Sequence, residues 1–337
     1  MQNSGFKGRG TAFMTTLKTV WLLLDDRAGN VNQCLGVVEA LGYPFVRKDI
    51  KYNAIGRLPN FLLGATMYGV DASSRAGLCQ PWPDLVIAAG RRTAPVARYI
   101  KRQSQGKTRL VQIMDPGSTG AAEFDLICVP AHDDKQHVAA NEMVMFGAPH
   151  RVTQEQLNQA QAQWCEQFAG LPQPRIGLIV GGATKDRDFN SDMAERLAAQ
   201  VNKMAAAQGG SVLVTTSRRT GAATQTLMAG ITVPSFKYQW GDDGTNPYFG
   251  ILACSDILVV TGDSVSMCSE CCGTAKPVYI FAPKDMISDK HSRMVDALVT
   301  QGYAHYLRND LQEGTGRQLN AAHDIATRIK QLFENNA

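Results

Sequence analysis

The stretch Asp256–Phe281, DILVVTGDSVSMCSECCGTAKPVYIF, decides the fold class. An apolar run from Ile257 to Val260 leads into a turn at Thr261 to Ser264. A helix of small residues then reaches about Gly273, and a second apolar run covers Val278 to Phe281. Two continuous apolar strands joined through a helix form a β-α-β unit of parallel type. The turn sets Gly262, Asp263, Ser264 and Ser266 at the start of the helix, where unpaired N–H groups and hydroxyls suit an anion such as phosphate. Glu270 follows Ser266 by one turn on the same face. Phosphate donors with a carboxylate one turn away suit a nucleotide, whose ribose hydroxyls the carboxylate can hold.

The chain has 337 residues, 44% of them hydrophobic. That is too long for one ordinary core and suggests two similar α/β lobes. A formal net charge of +4, with no dense Lys/Arg run, argues against nucleic acid as the partner and is compatible with a small anionic ligand. Eight cysteines are unevenly spaced, four of them (Cys254, Cys268, Cys271, Cys272) in or beside the opening stretch. Cys268-x-x-Cys271 has no second CxxC or His pair beside it, so the thiols read as reduced core residues of a cytoplasmic protein, and no metal is expected. No run of about 18 apolar residues is present, so no transmembrane helix is expected. The first 18 residues carry Lys7, Arg9 and Lys18 without an acid or an apolar signal core. A flexible tail, or a start at Met14, is expected in preference to a targeting peptide.

The first half repeats the strand–turn–helix arrangement. Val20 to Leu24 is a central-type strand that runs into Asp25, Asp26, Arg27 and Asn30, where open α/β sheets bind ligands. These residues are candidates for an acceptor or catalytic loop, although Asp26 or Asn30 would also serve as a helix cap. Residues 44–50 read as the next strand. Residues 51–80 read as a lid or packing segment, with Phe61, Leu62, Leu63 and Tyr68 as an alternative membrane-surface patch. Asp84 to Gly90 is followed by Arg91 and Arg92, candidates for anion binding beside a helix that Thr93 would cap. Leu110 to Met114 and Leu126 to Val129 add strands that end near Asp115 and His132, each a candidate general base.

A Gln-rich amphipathic helix from Thr153 to Phe168, ended by Gly170-Leu-Pro-Gln-Pro, marks the boundary between lobes. The expected organisation is a tail (1–18), a first lobe (19–150), a linker helix (151–174), a second lobe (175–315) and a terminal helix (316–337). In the second lobe, Arg175 to Val180 leads into Gly181-Gly182-Ala183-Thr184-Lys185-Asp186, a spacing that fails the P-loop pattern. Its glycines permit close backbone approach to a ligand, and Lys185 supplies charge. Ser211 to Thr215 leads to Ser217 and Arg218, and Phe236 to Trp240 leads to Asn246. These strand ends are expected to bring Gly182, Lys185, Ser217, Arg218, Asn246, Gly262, Ser264, Ser266 and Glu270 toward one cleft. His291 lies near a helix start and reads as a ligand contact or a surface residue. The terminal helix presents Ile325, Ile329 and Leu332 as a docking stripe.

Together DDRAGNVNQ (Asp25 to Gln33), AAGRRTAPVARYIK (Ala88 to Lys101), IVGGATKD (Ile179 to Asp186), LVTTSRRT (Leu213 to Thr220) and VTGDSVSMCSE (Val260 to Glu270) resemble a known family. It contains the plant mitochondrial fission factor whose loss elongates mitochondria, with its bacterial homologues, and the resemblance covers Val20 to about Tyr306. It implies a GT-B-like fold of two Rossmann-like lobes facing across a cleft, as in glycosyltransferases and nucleotide-sugar 2-epimerases. By that resemblance the second lobe would hold a nucleotide diphospho-sugar as substrate, without a cofactor. Glu270 would take the ribose or sugar ring, Ser264 and Ser266 the phosphates, and Lys185 and Arg218 the leaving diphosphate. Asp25-Asp26-Arg27 stands where some cell-wall transferases carry a glycine-rich loop with a His, which makes Asp25 or Asp26 the candidate base. An inverting, metal-independent glycosyltransferase is the expected function. The alternatives are a nucleotide-sugar 2-epimerase, or a non-catalytic adaptor that meets a protein partner at a membrane surface and so lies peripheral to the membrane.

Overall fold

The computed structural model describes residues 18–133, 135, 137–308 and 316–334. The tail reading of residues 1–18 falls almost entirely outside them. The first lobe runs β1 (Val20–Leu24), α1 (Ala28–Leu41), β2 (Phe45–Asp49), α2 (Asn60–Leu63), α3 (Ala72–Arg75), β3 (Leu85–Ala89), α4 (Ala94–Gln103), β4 (Arg109–Ile113), β5 (Leu126–Pro130) and β6 (Glu142–Met145). Helix α5 (Gln154–Phe168) follows, then β7 (Arg175–Val180), α6 (Ser191–Ala206), β8 (Ser211–Thr216), α7 (Ala223–Gly230), β9 (Ser235–Tyr238) and α8 (Tyr248–Cys254). The opening stretch supplies β10 (Ile257–Thr261), α9 (Val265–Cys272) and β11 (Val278–Phe281). Helix α10 (Asp289–Thr300), β12 (His305–Tyr306) and α11 (Ala321–Glu334) close the described chain.

The strands form two six-stranded sheets, ordered β2-β1-β3-β4-β5-β6 and β12-β11-β10-β7-β8-β9, and every pairing within them is parallel. This is the two-lobed α/β architecture that the apolar strand runs predict. Residue alternation explains the layers. In β1, Leu22 and Leu24 pack with Val37 and Val38 of α1 on one face of the sheet, whereas Trp21 and Leu23 pack with Ala97 and Ile100 of α4 on the other. In the second sheet, Leu178 and Val180 meet Leu197 and Val201 of α6, and Ile179 faces the side carrying Phe168, Ile251 and Cys268. Cys268, Cys271 and Cys272 are fully buried free thiols, and burial pushes all three up from the ordinary thiol range.

Both crossovers between the lobes are tightly packed. Helix α5 lies on α8, where a Cβ at Gly250 would sit 2.3 Å from the Trp164 ring. Helix α11 lies on α1 and inserts Ile325 and Ile329 into the first lobe's core. Strands β6 and β12 escape the sequence reading. The first is a half-exposed edge strand that lacks the apolar run of a central strand, and the second has only two residues. Thr93 also departs from its expected role. It does not cap α4, because its hydroxyl turns back to donate to the Ala89 and Gly90 carbonyls.

Candidate functional site

Strand order reverses between β1 and β3 in the first sheet and between β7 and β10 in the second. The crevice outside the carboxyl ends at such a reversal is where open α/β sheets place ligands. Each reversal here carries a carboxylate–arginine pair.

In the first lobe the chain leaves β1 at Asp25, whose side chain is 2% exposed. Its carboxylate accepts from the Arg27 amide at 3.1 Å, from Asn30 Nδ2 at 2.9 Å and from an Arg92 Nη2 at 3.4 Å. Asp26 is 72% exposed and pairs with the same guanidinium. Arg92 also stacks on Tyr52, 4.7 Å from the ring centroid. Gly90 makes this meeting of loops possible. It has φ +79°, and a Cβ there would fall 2.8 Å from Asn30 Nδ2. Arg91, read from sequence as Arg92's partner in anion binding, turns away. Its Nη1 donates to Leu58 O at 2.8 Å and Asn60 Oδ1 at 3.2 Å.

In the second lobe Asp263 is the hub, with a fully buried side chain. Its Oδ2 accepts from the Gly182 amide at 3.0 Å and from Arg219 Nη1 at 2.6 Å, while Oδ1 is buried without a hydrogen bond. Arg219 Nη1 also donates to Ala183 O at 3.0 Å. A Cβ at Gly181 would lie 2.3 Å from the Asp263 carboxylate, and one at Gly182 (φ +135°) would lie 2.2 Å from Arg219 O. The chain itself therefore occupies the close approach that the Gly-Gly turn permits. Ser217 caps the next turn, donating to Gly181 O and accepting from the Arg219 amide. Arg218 and Lys185 are exposed. The sequence reading named Arg218, and neighbouring arginines in a tight turn differ only in direction, so nothing in the sequence selected Arg219. Asp263 stood in the quoted turn, but its pairing needs β8 and β10 at their positions on either side of β7.

Ser264 caps α9, its hydroxyl accepting from the Met267 amide at 3.4 Å, and Ser266 is partly exposed one turn before Glu270. Gly262 is buried against Ala282 and Ile280. Asn246 accepts from the Tyr248 amide at 3.0 Å and so sets the start of α8. That start brings the Tyr248 hydroxyl to Glu270, to which it donates. Burial pushes the Glu270 carboxyl up, against the opposing effect of that hydrogen bond.

Helix α10 links the two lobes at the cleft. Arg293 Nε donates to His132 O at 3.1 Å, and Lys290 Nζ meets Asp133 Oδ1 at 2.7 Å. His132 is 5% exposed, and burial, aided by the Lys290 charge, pushes its imidazole down to about 4. Ser288 Oγ bonds His291 Nδ1 at 2.8 Å. Burial lowers the His291 imidazole, with Asp263 opposing and Arg219 reinforcing that shift. The two histidines singled out in the sequence thus share one interlobe cluster. Asp115 lies elsewhere on the rim of the first lobe, paired with Lys135 at 2.9 Å. Among the described residues, no group of three or more His, Cys, Asp or Glu side chains is placed to hold a metal ion.

Residues 28–333 match the family model described as mitochondrial fission ELM1. The chain belongs to that family. The match begins just past Asp25 and Asp26 and takes in every second-lobe candidate. The ELM1 protein of Arabidopsis thaliana is 28% identical over 80% of this chain and 68% of its own length. A Rickettsia prowazekii protein, RP120, is 29% identical over 94% of this chain and 99% of its own. Among solved structures, MurG of Acinetobacter baumannii superposes with a TM-score of 0.54 at 13% identity, covering 93% of this chain and 99% of that one. A candidate UDP-N-acetylglucosamine 2-epimerase from Listeria monocytogenes gives 0.53 at 12% identity, covering 94% and 97%. This ELM1-family chain therefore has a GT-B-like fold.

Proposed function

We propose that this chain binds a nucleoside diphosphate sugar between its lobes and transfers the sugar, with inversion and without a metal, to an acceptor held by the first lobe. The observation that carries this reading is the pair of carboxylate–arginine units, Asp26–Arg92 and Asp263–Arg219, at the two strand-order reversals. The diphosphate lies at the start of α9, over the Val265 and Ser266 amides, with Arg219, Arg218 and Lys185 supplying positive charge. Glu270, oriented by Tyr248, takes the ribose hydroxyls.

The chemistry needs one base. Asp25 already accepts three hydrogen bonds and is buried, so it orients Arg92 and the loop. Asp26 is exposed, and its carboxylate is open to solvent beside Arg92. Its carboxylate takes the acceptor proton as the acceptor oxygen attacks the anomeric carbon. The bond from that carbon to the β-phosphate oxygen breaks, and the nucleoside diphosphate leaves with the electron pair, stabilised by the cations and the helix N-terminus.

Calorimetric titration with UDP- and GDP-sugars tests the binding step, and absence of heat with all of them would sink the proposal. An Asp26→Asn variant should retain donor binding and lose roughly 100- to 10,000-fold in transfer rate. Turnover of the donor with no acceptor present would instead assign a 2-epimerase, the activity for which the Listeria structure is named.

A further inference from the structure

We propose that the rim of the first lobe formed by residues 51–70 is a docking surface for an anionic lipid bilayer. Five of the ten large hydrophobic side chains exposed among the described residues fall here: Ile55 (46%), Leu58 (42%), Phe61 (67%), Leu62 (61%) and Tyr68 (68%). The backbone beneath them is held in place. Asn53 Nδ2 donates to Tyr68 O and Val70 O, Asn60 Nδ2 donates to Arg91 O and Pro116 O, and Arg98 donates to Gly64 O. Gly56 and Gly69 pack so closely that a Cβ at Gly69 would lie 2.8 Å from Gly56 Cα, and Leu63 and Val70 are buried as anchors. The apolar side chains are thus presented on a braced backbone.

Charge selects the occupant. No Asp or Glu occurs from Lys51 to Val70, and Lys51 and Arg57 are exposed. Arg91 binds Leu58 O, and Arg75 binds Tyr68 O, which brings two more guanidinium groups to the rim. The first acid beyond, Asp71, is engaged with Ser73. Aromatic and aliphatic tips ringed by cations match a headgroup layer, where the tips enter the acyl boundary and the guanidiniums meet phosphates. A second copy docked face to face would bring the same cations together and be repelled. Asn60 and Arg91 join this platform to the strand-end loops, so docking sets the cleft mouth beside the bilayer.

Co-sedimentation of the full chain with phosphatidylcholine vesicles, with and without phosphatidylserine, tests the proposal. The chain should pellet with the anionic vesicles, and Arg57→Ala should weaken that binding about fivefold. Phe61→Ser combined with Leu62→Ser should weaken it more than tenfold. Both sites are solvent-exposed, so circular dichroism should show unchanged melting. A chain left in the supernatant, or a double variant that pellets like the parent, overturns the proposal. Equal binding to neutral and anionic vesicles overturns the assignment to anionic lipid. A dimer in light scattering that the double variant dissolves, with no vesicle binding, assigns the patch to a second copy instead.

Discussion

At the scale of the residue, Asp263 shows how one buried carboxylate ties together the loops at a strand-order reversal. It joins the Gly182 amide after β7 to Arg219 after β8, from its own position after β10. Asp263→Ala should cost about 2 kcal/mol in urea unfolding, since it leaves the buried Gly182 amide unpartnered and removes the charge partner of Arg219, which keeps its bond to Ala183 O. A cost below about 0.5 kcal/mol would show that the hub is not structural. His132 makes a pH-dependent contribution. Its folded value of about 4 lies below the ordinary 6.5, so the unfolded chain takes up the proton first as pH falls. The stability that depends on neutral His132 is complete above about pH 6.5 and is lost between there and about pH 4, by up to roughly 3 kcal/mol. His150 and His291 are also lowered by burial and act in the same direction. The difference in unfolding free energy between the parent and His132→Gln, followed from pH 7.5 to 4.5, should shrink as the pH falls. A difference independent of pH would refute this role.

At the scale of the element, periodicity and caps made most of the secondary structure legible. The apolar runs marked the central strands because a parallel strand is covered on both faces. Asn190, Thr153 and Ser288 hold their helix starts through side-chain hydrogen bonds to the backbone. An Asn190→Ala variant should lower stability by about 1 kcal/mol, readable as a shifted denaturation midpoint with an unchanged slope. Edge strand β6 was illegible because it has one covered face and a polar start, and α2 was illegible because four residues carry no period. Gly36 makes a sharper test of packing between elements. A Cβ there would meet His150 O at 2.6 Å, where α1 touches the first crossover between lobes. Gly36→Ala should therefore destabilise by about 1–3 kcal/mol, although alanine is the better helix former. Stabilisation on this substitution would mean that the crossover yields.

At the scale of the whole molecule, the lobes are tied by the two crossovers and by the α10 contacts to His132 and Asp133. These last are single polar links at the cleft, worth little in stability. Lys290→Ala with Arg293→Ala should barely move the melting temperature yet increase the radius of gyration in small-angle scattering as the cleft opens. An unchanged radius would place the restraint in the crossovers alone. The sequence by itself determined the class of fold, two parallel α/β sheets, and where the turns after the strands fall, because apolar period and turn composition are local properties. It also determined which residue types stand at each strand end. The tertiary structure decided which of those residues meet: Arg92 with Asp25 and Asp26, Arg219 and not Arg218 with Asp263, and Tyr248 with Glu270. The arginine pairs join loops distant in sequence, and the last pair joins α8 to α9. Strand order brings such loops together, and strand order is set by how whole sheets bury their faces, which no local pattern encodes.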